Sequence, residues 1–278
     1  MPPSIVQLRT GLLATALLFT SGAAFAKPPV EEPDNLLNDR FTLQAGVMFS
    51  SNQTDARFDA PDGTLGTNID GENDLGLPAR KLVGRAELMF RMRDRHRIRL
   101  GNDFIPLDRH ATTVLAKSFN FGSTTYNVND TVASELQLHL FTMNYTYSFI
   151  KNDRVELGAS LGLDLIGFEA QASVASRLRT EHQDYSGPAP LAGIEGEGRI
   201  SSRFYVEGRA QLLKVHVGNV RGSLSAYEGN LLYRLMPNAT FGLGLASFKI
   251  NVDSRKSGNS GSFDLHSTGP QVFARIGF

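Results

Sequence analysis

The chain contains no cysteine and no tryptophan, and neither sign of charge is in excess, with 28 Lys+Arg against 28 Asp+Glu in 278 residues. Without cysteine there is no disulfide framework, no thiol nucleophile and no cysteine metal site. A formal net charge of zero argues against a nucleic-acid binder with a broad basic surface. No run of ~18 or more apolar residues occurs, so a helical membrane span is not expected. The length allows one or two domains. At 41% hydrophobic and 20% charged residues the chain is too apolar for disorder. The mean hydropathy of -0.18 is that of an ordinary soluble protein. That average conceals the pattern that matters.

The first residues read as an address. Arg9 supplies a short positive region, Gly11 to Ala24 is apolar, and Ala24-Phe25-Ala26 has the small-x-small form of a signal-peptidase site. The expected organisation is a signal peptide over 1–26, a short periplasmic segment over 27–38 and one barrel domain over 39–278.

Beyond this segment the chain alternates with a period of two, the mark of strands with two unlike faces. Between Val155 and Leu165 one face carries Val155, Leu157, Ala159, Leu161, Leu163 and Leu165, and the other Glu156, Gly158, Ser160, Gly162 and Asp164. Phe41–Phe49, Leu191–Ile200 and Phe204–Leu212 repeat the pattern. Short turns are expected at Arg93–Arg95, Lys151–Asp153, Ser201–Arg203 and Met236–Asn238. Longer polar connections are expected at Pro61–Pro78, Phe121–Thr131, Arg177–Pro188, Val217–Gly222 and Ser254–Ser262. Four short turns interleaved with five loops give about ten strands, with 8 or 12 as alternatives, and place both termini at the short-turn end. The fold class read from this is all-β: a transmembrane antiparallel up-and-down barrel.

The chain ends with apolar residues at every second position, Val272, Ala274, Ile276 and Phe278. This ending resembles the C-terminal targeting strand of Gram-negative outer-membrane barrels. The whole pattern resembles the small OmpA-like or OmpW-like type. The resemblance implies export to the outer membrane, contact with its lipids and lipopolysaccharide, and handling by the barrel-assembly machinery.

On the polar faces, positions near the short turns are charged with both signs: Arg85, Glu87, Arg91, Arg97, Arg99, Glu156, Asp164, Glu195, Glu197, Arg199, Glu207, Arg209, Glu228, Arg234 and Arg275. A ten-strand barrel is narrow, and buried ions must pair, so a salt-bridged plug is expected there. Further up, the same inward parity turns apolar, at Leu136, Leu138, Ile166, Phe168, Leu213, Val215, Phe248 and Ile250, while the outward face turns polar. A span needs only ~9–11 tilted residues, so the strands are expected to project beyond the outer leaflet. The apolar upper interior is then either a self-packed core or a chamber for a small hydrophobic molecule, as the OmpW-like resemblance implies.

Catalytic and ligand signals are weak. Asp264, His266 and Thr268 share one outward face and could form a rim hydrolase, or be polar decoration. Asp70-Gly71-Glu72-Asn73-Asp74 could chelate Ca²⁺, but lacks the spacing of a calcium loop and reads as a solvated loop. Outward Lys214, His216 and Lys249 suit lipopolysaccharide phosphates or ordinary solvation. Tyr145, Tyr147, Phe149, Phe204, Tyr233, Phe241 and Phe278 can form an aromatic girdle near the short turns. The expectation is a monomeric, non-enzymatic protein with no cofactor and no metal, of structural or surface-interacting role, with the narrow hydrophobic channel and the hydrolase as rivals.

Overall fold

A computed structural model describes residues 35–59, 65–121, 124–174, 179–256 and 259–278. The expected signal peptide and residues 27–34 lie outside the described residues.

The strands are β1 (Phe41–Phe58), β2 (Ile69–Asp70), β3 (Arg80–Arg93), β4 (His96–Ile105), β5 (Leu107–Val114), β6 (Phe119–Phe121), β7 (Thr124–Tyr126), β8 (Thr131–Lys151), β9 (Val155–Val174), β10 (Arg179–Arg199), β11 (Phe204–Val217), β12 (Val220–Met236), β13 (Ala239–Lys256) and β14 (Asn259–Gly277). β4 and β5 both pair with β8 and are two parts of one stave, parted at Pro106, which has no N–H to give a ladder. Each stave pairs antiparallel with its neighbour in sequence, and β14 closes on β1 from Thr42↔Gly277 to Phe58↔Gly261. The result is a closed ten-stave up-and-down barrel. The small β6–β7 hairpin is a separate sheet, and β2 adds to β1.

The start of β1 and the end of β14 meet at the short-turn end, where the Phe278 carbonyl accepts from the N–H of Arg40 (2.6 Å) and Phe41 (3.1 Å). The four short turns lie where alternation placed them. The opposite end differs from expectation. Only the 59–79 and 115–130 connections are long. Of the loop expected over Arg177–Pro188, residues 179–188 are strand instead: β10 is already paired with β9 at Arg179↔Val174. Val217–Gly222 is a hairpin tip of two residues, Gly218 and Asn219, with Gly218 taking φ 58°. β13 and β14 run to Lys256↔Asn259. The physical reason is that polar sequence marks the end of a strand only while one face is against hydrocarbon. Above that level both faces tolerate polar side chains.

Around the outside runs an apolar band. Phe49, Leu161, Ile194, Leu212, Leu243 and Leu245 are all more than half exposed. Tyr145, Tyr147, Phe149, Phe204, Phe241 and Phe278 are exposed at its short-turn edge. Tyr233 is half-buried, its ring 5.0 Å from Phe204. β9 is 20 residues long, about 65 Å at ~3.3 Å per residue, twice what a ~30 Å hydrocarbon layer needs.

Candidate functional site in the barrel lumen

The lumen is built in layers. At its base the described part of the N-terminal segment folds inward. Leu36–Asn38 is a 3-10 turn whose Leu36 and Leu37 pack on Tyr205, Leu232 and Phe273. Phe273 fits because Gly46 and Gly242 face it, and a Cβ at either would overlap it. Nothing periodic in the sequence announced this plug, since three residues are too few to show a pattern.

Above it lies the charged layer. Arg91 grips Glu156 with two parallel hydrogen bonds, 2.8 and 2.9 Å, and Ser148 Oγ donates to the same carboxylate at 2.5 Å. Glu156 has no exposed surface. Arg97 and Arg99 share Glu195, the latter at 2.6 Å, and Arg97 also approaches Glu156 at 3.5 Å. Glu87 receives Arg99 (2.9 Å) and Arg209 (3.0 Å). Arg275 binds Glu207 at 2.6 Å and approaches Glu197 at 4.0 Å. Arg85 bridges Asp103 (3.1 Å) and Glu228 (2.8 Å). Arg234 reaches Asp39 (3.4 Å) and the Pro237 carbonyl. With Arg209 also approaching Glu228, these pairs join β3, β4, β9, β10, β11, β12 and β14 into one web.

Two expected members stand apart. Arg199 is the last residue of β10, and its Nε donates to the Ser201 carbonyl at 3.2 Å instead of to a carboxylate. At the rim the turn and solvent satisfy it. Asp164 is buried but, among the described residues, makes no ion pair, and its Oδ1 has no hydrogen-bond partner there. It lines, with Arg85, Asp103, Asn144, Gln211 and Glu228, a cavity of about 70 Å³. Asp39 and Ser148 were missed by sequence reasoning: Arg234, the partner of Asp39, is far away in the chain, and Ser148, although only one hairpin from Glu156, carries no charge to single it out.

The upper layer is apolar. Leu138, Phe248 and Ile250 are core members together with Val83, Leu107 and Leu265, and Ile166, Phe168 and Leu213 pack against them. Leu136 belongs to the adjoining cluster with Leu77 and Ala170. Val215 is half-buried above these groups. Phe168 and Phe263 meet at 4.4 Å between ring centres. The residual apolar cavity near them is about 40 Å³, far below the ~150 Å³ that accommodates benzene.

One cation interrupts this layer. Arg109, fully buried, binds Glu72 and the Thr54 hydroxyl. The signal was present in the sequence, since Arg109 shares the two-residue parity of the inward Leu107. The acidic run is therefore not the solvated loop expected. Glu72 also accepts the Thr54 N–H at 2.8 Å, Asp74 binds Lys117 at 2.8 Å, and Asp70 accepts the N–H of Glu72 and Asn73. Burial pushes the Asp70 carboxyl up, but these N–H donors outweigh it and hold it below its usual range.

The outward rim residues do not assemble a catalytic row. Asp264 accepts from the Asn251 amide, His266 Nε2 lies 3.3 Å from Ser247 Oγ, and Thr268 donates to the Ala246 carbonyl. Val272, Ala274, Ile276 and Phe278 all face outward, with Gln271, Phe273 and Arg275 inward.

The same closed architecture occurs in known proteins. The outer membrane protease OmpT of Escherichia coli superposes with a TM-score of 0.56 at 11% identity, over 88% of this chain and 97% of that one. The fold is that of an outer-membrane β-barrel. The translocator domain of the autotransporter NalP from Neisseria meningitidis matches at TM-score 0.40 and 9% identity, covering 86% and 88% of the two chains. The Pseudomonas putida toluene transporter TodX matches at 0.32 and 7%, covering 88% and 92%. No family model and no curated protein matches the sequence. At such identities the likeness reaches the fold and goes no further.

Proposed function

We propose that the protein is an integral outer-membrane barrel, of the small OmpA-like or OmpW-like kind, with a lumen closed to ions and hydrophilic solutes. Its role is structural or surface-interacting, and it is monomeric and non-enzymatic. The observation that carries this reading is the web of buried Arg–Glu pairs across the barrel, capped below by Leu36 and Leu37. The exposed apolar band supports the membrane placement, because a soluble monomer rarely leaves so large an apolar surface bare. The outward residues Val272, Ala274, Ile276 and Phe278 are the surface offered to the assembly machinery. Lys214, His216 and Lys249 are exposed where lipopolysaccharide phosphates would lie.

Planar-bilayer recording tests the closed lumen: reconstituted protein should give no large steady conductance, and a stable open channel would overturn it. Heated and unheated samples should migrate differently on a detergent gel. Identical migration, with recovery in the soluble periplasm, would remove the barrel-in-membrane reading.

A further inference from the structure

The barrel wall is not continuous at its upper end. β9 and β10 pair over the whole of β10, from Arg179↔Val174 to Gly198↔Val155. β10 and β11 pair only from Arg199↔Tyr205 to Ala192↔Leu212, although both strands continue upward. The cause lies in backbone parity. The Ile200 N–H bonds to Phe204 at the β11 side, whereas the Arg199 N–H bonds to Arg154 at the β9 side. Even-numbered residues of β10 therefore aim their backbone groups at β11. The next even residues are Pro190 and Pro188, which have no N–H. Continued in register they would oppose Lys214 and His216. The ladder stops where its donors stop.

A second gap in the wall is closed differently. Beside β5, the space next to β3 is covered by the chain itself: Leu75 and Leu77 pack inward, and Arg109 and Lys117 tie the loop down through Glu72 and Asp74. Among the described residues no strand pairs with the β11-facing edge of β10 above Ala192 or with the β10-facing edge of β11 above Leu212. The β10–β11 gap opens at the height of the apolar band, because Leu163 and Leu165 are the β9 partners of Pro190 and Pro188 and Leu165 is exposed. Its inner wall is apolar, with Ala189, Leu191, Leu213 and Val215. Its outer lip is basic: Lys214 and His216 are exposed, and Arg221, the partner of His216, is exposed beside them.

From this we infer that the β10–β11 seam is a lateral binding site for an anionic outer-leaflet lipid, with one acyl chain lying against Leu213 and Ala189 and the headgroup phosphate on Lys214 and His216. This rests on the membrane placement proposed above. Three features select this occupant. The seam is continuous with the band that faces hydrocarbon. The basic lip complements a phosphate. The backbone groups of Lys214 and His216 that face the gap lack ladder partners, and in hydrocarbon that is costly unless a headgroup or water bonds them. A strand from a second copy fits less well, because the two prolines remove half the donors such pairing needs. The filled upper core leaves the acyl chain in the seam and does not admit it to the barrel axis.

The absence of native tryptophan makes the test direct. Single variants Leu161→Trp (lipid-facing band), Leu213→Trp (seam) and Phe248→Trp (far interior) are reconstituted in phosphatidylcholine–phosphatidylglycerol vesicles. Either lipid carries the brominated chains that quench tryptophan. The band tryptophan should be quenched alike by both lipids, and the far-interior tryptophan by neither. The seam tryptophan should be quenched at least twofold more by brominated phosphatidylglycerol than by brominated phosphatidylcholine. Lys214→Gln with His216→Gln should abolish that preference. Pro188→Val with Pro190→Val, which restores the missing donors, should reduce seam quenching. An unquenched seam tryptophan beside a quenched band tryptophan overturns the proposal, including the case in which a partner strand shields the seam. Equal quenching by the two lipids overturns it as well. An unquenched band tryptophan instead overturns the membrane placement. If Leu213→Trp fails to form a barrel, Val215→Trp reports on the same seam.

Discussion

The lower and upper halves of one lumen are closed by opposite chemistry. Below, Arg91, Arg97, Arg99, Arg209 and Arg275 are held by Glu156, Glu195, Glu87 and Glu207, all buried or largely so. Above, Leu138, Phe248, Ile250 and Leu265 fill the same tube with hydrocarbon. The same inward parity serves both. The lower arrangement is rigid in a particular way, since each ion is stable only while its partner is present. The upper arrangement is non-directional, and removing one member leaves a void without orphaning a charge.

That contrast can be broken most strongly from below. Glu195→Ala leaves Arg97 and Arg99 facing each other without their shared carboxylate, and should cost about 3–5 kcal/mol in urea unfolding of the detergent-solubilised barrel. It should also be the variant most prone to conduct in a planar bilayer. In the upper half, Leu138→Ala should cost about 3 kcal/mol, and bilayer recordings should stay silent because no water-filled path is made. A smaller effect belongs to the loop that covers the β5 side. Asp70→Ala removes the acceptor for the N–H of Glu72 and Asn73 and should cost about 1 kcal/mol. Because the folded carboxyl is held below its ordinary value, its contribution is complete above an ordinary aspartate pKa of ~4 and is lost as pH falls through the folded value. Following the Asn73 amide resonance with pH would show this. The smallest effect should come from Asp164→Asn. Its Oδ1 has no hydrogen-bond partner to lose, so stability should change by under about 0.5 kcal/mol or rise, while Glu195→Gln in the same layer is strongly damaging. Equal losses for the two would mean that Asp164 is paired after all.

How much of this the sequence displayed depended on periodicity. Glu156, Glu195, Glu207 and Arg209 were legible as inward because a strict two-residue alternation leaves them no other face. Leu138, Phe248 and Ile250 were legible for the same reason. The pairing of Arg91 with Glu156, or of Arg85 with both Asp103 and Glu228, was not, because it depends on which staves lie across a closed tube. Strand ends at the upper rim were misread at Arg179 and Ser254, where water on the outer face removes the polarity contrast. Leu36 and Leu37 escaped notice because a single turn carries no period.

Composition and alternation therefore determined the all-β class, the ten staves, the direction of nearly every side chain and the change from charged to apolar along the lumen. These are local properties, repeated along the backbone at the ~3.3 Å step of a strand. Closure of β14 on β1 decided the rest: which ions meet, how the N-terminal turn stoppers the base, and where Pro188 and Pro190 leave the wall unpaired. Those are contacts between residues far apart in the chain, and only a closed barrel brings them within reach of one another.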